Sequence, residues 1–150
     1  MVTTEPLRVA GALIVDDDGR IFVQRRSASR KLFPNTWDIV GGHVEEGETL
    51  AEALDREVAE ETGWQVSVVF GPVGEYAYRG DDGIDRIEYD FLIRVDGDLT
   101  RPRLEVGKHT EYRWLAENQL DLLDEHREVN DGLIRRIAED GFATLHAIGL

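Results

Sequence analysis

The chain contains no cysteine. That absence excludes disulfides, a thiolate nucleophile and cysteine-ligated zinc. Basic residues are scarce, with 17 Lys and Arg against 31 Asp and Glu and a formal net charge of −14 at pH 7. A surface of that sign repels polyphosphate backbones and argues against DNA or RNA polymers as partners. Small phosphorylated molecules stay open where metal ions screen the repulsion. No apolar run is long enough to span a bilayer. The opening residues Met1-Val2-Thr3-Thr4-Glu5-Pro6 carry no basic residue, unlike a secretory signal. A cytoplasmic protein with no membrane association is expected. Internal repeats, low-complexity segments and linkers are also missing, so the 150 residues are expected to form a single domain over 1–150.

What is present reads as strands interleaved with a few helices. Leu7–Val15 and Arg20–Arg25 read as strands around the turn Asp16-Asp17-Asp18-Gly19. Ser27–Thr36, with Pro34, reads as a loop, and Trp37–Val40 as a short extended piece ending at Gly41-Gly42. Gln65–Phe70, Val73–Arg79, Ile84–Val95 and Thr110–Leu115 read as further strands, with a helical turn over Glu117–Leu123. Val129, Leu133, Ile134 and Ile137 give helical spacing over Glu128–Glu139. This order predicts an α/β fold with a mixed sheet packed between helices.

Thr49–Thr62 carries the clearest helix signals. Thr49 can cap it, Glu52 three residues on completes a capping box, and Gly63 can stop it in the left-handed conformation. Its inward stripe is unusual. Positions 50, 54, 57 and 61 share one face, and they read Leu, Leu, Glu, Glu. Glu60 lies beside the two acids. Their mutual repulsion and their place near the negative end of the helix dipole each cost on the order of half a kcal/mol. Partial burial enlarges both. A bound divalent cation reverses all three effects, and oxygen-only ligands favour Mg²⁺ or Mn²⁺. The bland reading is a solvated acidic face, which fits poorly with acids that continue an apolar stripe. In the preceding loop, Gly41-Gly42 permits close backbone approach and unusual dihedrals, and Arg56, on a different face from the acids, can pair with Glu48 or Glu52.

Gly42, five residues, Glu48, seven residues, then Arg56-Glu57-Val58-Ala59-Glu60-Glu61-Thr62-Gly63-Trp64 resembles the Nudix box. The upstream Trp37-Asp38-Ile39-Val40-Gly41-Gly42 is similar to the same family, many of whose members have proline where Val40 stands. The resemblance implies an α/β/α sandwich and a hydrolase. Members cleave a nucleoside diphosphate linked to another moiety, by water attack at phosphorus with Mg²⁺ or Mn²⁺ as cofactor. It further implies metal ligation by Glu57, Glu61 and the Gly42 carbonyl. Glu60 would serve a second ion or the attacking water, and Arg56 would hold the glutamates. The catalytic set is then Glu60, Glu61 and Arg56, with the general base left open. Relatives recruit another acid from outside the box, and Glu111, three residues before Trp114, is the candidate, with Glu105 and Glu88 as alternatives.

Arg25 and Arg26 are candidates for phosphate oxygens, with Trp37 and Tyr76 as further substrate contacts. Lys31, Phe33, Tyr78 and His43 are weaker candidates, and for each aromatic, core packing competes. The partner expected is a small nucleotide-like diphosphate, and homodimerisation is compatible with the family. The chain's length, without an added N-terminal domain, tilts the expectation towards a nucleoside triphosphate pyrophosphohydrolase. Two rivals stand beside it. Gln24-Arg25-Arg26, Phe33-Pro34 and Trp37-Asp38 also resemble the isopentenyl diphosphate isomerase branch, which uses a cysteine this chain lacks. A non-catalytic nucleotide-sensing module is the other, although such members usually lose box glutamates.

Overall fold

The computed structural model describes residues 5–126 and 132–149. Its strands are β1 (Leu7–Ile14), β2 (Ile21–Arg26), β3 (Trp37–Asp38), β4 (Val40–His43), β5 (Gln65–Arg79), β6 (Asp85–Asp96) and β7 (His109–Leu115). The helices are α1 (Leu50–Thr62) and α2 (Leu133–Ala147), and a 3-10 helix covers Glu117–Asp124. One sheet has the order β4-β1-β6-β5 and the other β3-β2-β7. The first is mixed, because β1 runs parallel to β6 and antiparallel to β4.

Strand alternation sorts the core into two halves. On β1, Ala12 and Ile14 join Ile93, Leu54 and Val58 on the α1 side. Leu13 instead joins Leu92, Ile134, Ile137 and Phe142 on the α2 side. Successive side chains of a strand point to opposite faces, so a strand covered on both sides must be apolar throughout. Each such side chain, once fully buried, contributes about 1.5–3 kcal/mol. The α1 half is closed by aromatics: Phe22 meets the Trp64 ring edge-on at 5.1 Å between centroids. Trp64 then donates its indole N–H to the Asp98 carbonyl at 3.0 Å. The result is the expected α/β architecture, a mixed sheet with helices on both sides.

Three elements differ from expectation. Gln65–Phe70 and Val73–Arg79 are one strand, β5, whose pairing with β6 shifts register between Val66 and Val68, Val69 and Gly71, and Pro72 and Gly74. Gly71 and Pro72 look like breakers, but bulges absorb them without ending the ladder. Gly41 and Gly42 lie inside β4 rather than in a loop. The second helix runs on to Ala147, past the expected end at Glu139. Gly141 allows the continuation to pack, since a Cβ there would meet Leu13 Cδ2 at 2.3 Å. Residues 128–131 of the expected helix start, and residues 1–4 of the opening segment, lie outside the described residues.

Candidate active site

Helix α1 is fixed at both ends by its own sequence. Glu52 N–H donates to Thr49 Oγ1 at 3.1 Å, and Thr49 N–H to Glu52 Oε1 at 3.0 Å. Gly63 ends the helix at φ 77°. Buried Leu54 and Val58 anchor the helix to the sheet. The same stripe therefore presses Glu57 and Glu61 against β4. Glu61 is 5% exposed and accepts from Gly41 N–H at 2.9 Å and Gln24 Nε2 at 3.2 Å. Burial, and then the neighbouring Glu57, push the Glu61 carboxyl well above the usual carboxylate range. Burial also raises Glu57, opposed by Arg56. Two carboxyls held this way favour a cation between them.

The double glycine is there for space. A Cβ on Gly42 would sit 2.3 Å from Glu57 Oε1, and one on Gly41 2.6 Å from the Ala10 carbonyl oxygen. Neither residue has a left-handed φ, so close approach is their role and unusual dihedrals are not. The donor set of two inward carboxylates beside a bare backbone strand suits a hard divalent cation.

Arg56 organises the set. Its Nε and one Nη donate to Glu48 at 2.8 and 3.0 Å, its other Nη to Glu57 at 2.7 Å, and it also reaches the His43 carbonyl at 2.9 Å. A weaker contact reaches Glu60 at 3.3 Å. Arg56 is thus in direct contact with the acids, not on a separate face. Its partner is Glu48, because Glu52 is occupied in the cap. The Arg56 guanidinium holds Glu48 well below the usual carboxylate range. His43 accepts on Nε2 from Arg86 Nε at 3.0 Å, which leaves the ring hydrogen on Nδ1. Burial and the Arg86 charge keep the ring neutral by lowering its pKa. Arg86 is in turn gripped by Asp82 at 2.8 and 2.9 Å.

Arg56, Glu57, Glu60, Glu61, His43 and Arg86 line a cleft of about 380 Å³. Arg26, Arg30 and Lys108 supply positive charge to it, and Phe33, Tyr78 and Glu88 line it as well. The rings of Phe33 and Tyr78 lie 6.5 Å apart. Glu105 enters the cleft beside Glu61 and His109, and the ligand atoms of the three lie within 4.8 Å of one another. His109, on β7, is lowered to about 3 by burial and by Arg30 and Arg26.

The expected residues divide cleanly. Gly42, Arg56, Glu57, Glu60, Glu61, Arg26 and His43 come together in the cleft, with Phe33, Tyr78, Glu88 and Glu105. Glu111 does not: it pairs with Arg25 at 3.0 Å, and neither lines the cleft. Glu105 stands where the outside acid was expected. Trp37 is a core residue, 2% exposed, with the Arg113 guanidinium 5.5 Å from its ring centroid. Tyr76 is also in the core and donates to Asp140 at 2.7 Å. Both were read as substrate contacts, and both strand faces point into packing instead. Lys31 is exposed and away from the cleft. Sequence reasoning missed Arg30, Asp38, Lys108, His109 and Arg86. Alternation along β7 does not find His109 either, because a register shift sets it opposite Arg26 while Glu111 stands opposite Arg25. Nothing in the spacing points to Arg30 or Lys108.

Comparison with known proteins agrees with the geometry. The NUDIX domain model matches residues 5–137. An uncharacterised Nudix hydrolase of Nostoc sp. is 41% identical over 118 residues, covering 75% of this chain and 66% of that protein. The nucleoside triphosphatase NudI of Enterobacter sp. is 29% identical, covering 74% and 83%. An isopentenyl-diphosphate Delta-isomerase of Kocuria rhizophila is also 29% identical, covering 77% and 66%. The chain thus spans just under two thirds of the Nostoc and Kocuria relatives. Among solved structures, a MutT protein from Methanosarcina mazei superposes with a TM-score of 0.77 at 26% identity, covering 97% of this chain and 99% of that one.

Proposed function

The chain belongs to the Nudix hydrolase family, and from that premise we propose that it hydrolyses a diphosphate linkage in a small nucleotide, with a nucleoside triphosphate as substrate and Mg²⁺ or Mn²⁺ as cofactor. One observation carries the reading: Glu57 and Glu61 are turned inward by an otherwise apolar stripe, against a glycine strand that leaves no room for a side chain. In this reading Glu57, Glu61 and the Gly42 carbonyl hold the cation, and Glu105 takes the part first given to Glu111. When bound, the cation neutralises phosphate oxygens and lowers the pKa of water.

The chain's own groups do the rest. Arg26, Arg30 and Lys108 donate to phosphate oxygens and hold the phosphorus in line. Arg56 is a positioning residue that fixes Glu57 and Glu48. Glu60, 48% exposed, has the freedom to orient water and take its proton. The water oxygen bonds to phosphorus, the bond to the bridging oxygen breaks, and that oxygen leaves with its electron pair. A nucleoside triphosphatase among the relatives supports the substrate class. The proposal treats residues 1–150 as one cytoplasmic domain. Among the described residues no helix is long and apolar enough to cross a membrane. Homodimerisation rests on the habit of the family and is read by sedimentation.

The test is a panel of nucleoside triphosphates, nucleotide sugars, ADP-ribose and dinucleoside polyphosphates with Mg²⁺ and Mn²⁺, followed by product identification. A nucleoside monophosphate plus pyrophosphate is expected. No turnover on any member overturns the proposal. Full turnover in both Glu60→Gln and Glu61→Gln overturns the assigned roles. The isomerase relative favours a second reading, which the absence of any cysteine opposes. Dimethylallyl product from isopentenyl diphosphate would establish it.

A further inference from the structure

His109 is the anomalous group beside the cleft, buried next to its lining residues Glu61 and Glu105. Its side chain is 2% exposed, and its Nε2 lies 3.8 Å from Glu61 Oε1, beyond a hydrogen bond. Its Nδ1 is buried with no partner. A buried polar atom left unpaired costs about 1–3 kcal/mol. An ion pair with Glu61 does not explain it, because the nitrogen that faces the carboxylate is Nε2, at 3.8 Å, and not Nδ1. A neutral imidazole offers a lone pair, and this one faces two carboxylates. Two donors each about 2.1 Å from one ion lie roughly 3–4 Å apart. The 3.8 Å between His109 and Glu61 falls in that interval, and Glu105 closes the group within 4.8 Å.

We propose that Glu61, Glu105 and His109 form a mixed oxygen–nitrogen site that takes a first-row transition cation, Mn²⁺ in preference to Mg²⁺, at the buried end of the cleft. Imidazole suits transition metals, whereas Mg²⁺ selects oxygen donors and retains its waters. The inference rests on the reading of Glu61 as a metal ligand and adds the nitrogen and the metal preference. The nitrogen that faces Glu61 is Nε2, so a ring that ligates there carries its hydrogen on Nδ1.

The test uses the full chain stripped of metal, with histidine labelled by ¹⁵N, and Mn²⁺ as the probe. Pulsed electron paramagnetic resonance is expected to show one Mn²⁺ coupled to an imidazole nitrogen. The coupling should vanish in His109→Gln and persist in His43→Gln, which separates His109 from the histidine that lines the cleft. In competition titrations His109→Gln should lose Mn²⁺ affinity about tenfold or more and change little towards Mg²⁺. Metal-free melting checks that the variant folds. Should it not fold, the wild-type coupling and its behaviour in His43→Gln decide. Absence of nitrogen coupling, its loss in His43→Gln, or an unchanged metal preference in folded His109→Gln overturns the inference. Oxygen-only Mn²⁺ with hydrolysis intact overturns it and leaves the proposed hydrolase standing. No Mn²⁺ binding together with no hydrolysis removes both.

Discussion

The two helices cover opposite sides of the sheet and use their inward faces differently. α2 completes its stripe, burying Ile134, Ile137, Ala138, Phe142 and Leu145. α1 buries Ala53, Leu54 and Val58 and then presents Glu57 and Glu61. The ends are reversed too: α1 has a reciprocal side-chain cap, whereas α2 starts at Gly132 with no side-chain cap. A helix that buries its whole face can do without a cap. One that gives two core positions to carboxylates relies more on local hydrogen bonds, worth about 1 kcal/mol for a good N-cap. Stability and chemistry are thus separated between the two faces.

That separation can be attacked from either side. Phe142→Ala, in the α2 core, should destabilise the fold by about 3–5 kcal/mol, read by urea unfolding, while turnover per folded molecule stays unchanged. A large loss of turnover in the folded fraction would mean the halves are coupled. Glu61→Gln should do the reverse, lowering turnover by about 10²–10³-fold with little change in melting temperature. Arg56→Lys should weaken divalent-cation binding by about tenfold, because lysine cannot span Glu48 and Glu57 together. Isothermal titration reads it, and wild-type affinity would show that the fork is dispensable.

The smallest effect is a pH slope. Burial raises the folded-state pKa of Glu61 and Glu57 above the unfolded value. Between those two values the folded state binds more protons than the unfolded chain, so their contribution to stability falls as pH rises. The loss begins in the ordinary carboxylate range and is complete above the raised pKa. Metal-free melting temperature should drop on the order of 2–4 °C across that window. Saturating Mg²⁺ or Mn²⁺ should flatten the slope, and so should Glu61→Gln. A slope identical in wild type and Glu61→Gln would detach the buried acid from the effect.

Legibility followed the range of the signals. The cap, the stop at Gly63 and the acidic stripe of α1 are written within one helix, and the structure keeps each of them. The continuity of β5 depends on bulges opposite β6, and the reach of α2 depends on Gly141 meeting Leu13. Both are settled by a partner distant in sequence. The site shows the same limit. Tyr76 and Tyr78 alternate along one strand, but spacing does not say that Tyr76 packs in the core while Tyr78 reaches the cleft. Arg25 and Arg26 are adjacent, so alternation sends one to Glu111 and the other to the cleft, and a register shift between them sets His109 opposite Arg26. Glu105 and His109 become neighbours of Glu61 only when β7 docks on β2.

Gly42 has a practical consequence. The hydrogen at its α-carbon faces Glu57 across a gap that one methyl group would overfill. A single-base change to alanine would therefore push Glu57 out of place and, under the proposed function, stop turnover. Every acidic and basic group would be retained, so charge and solubility would be unaltered. Under the proposed function, the glycine is then a point at which a lineage could turn a hydrolase into a silent reader of its former substrate. It also offers the bench a decoy that keeps every carboxylate of the cleft.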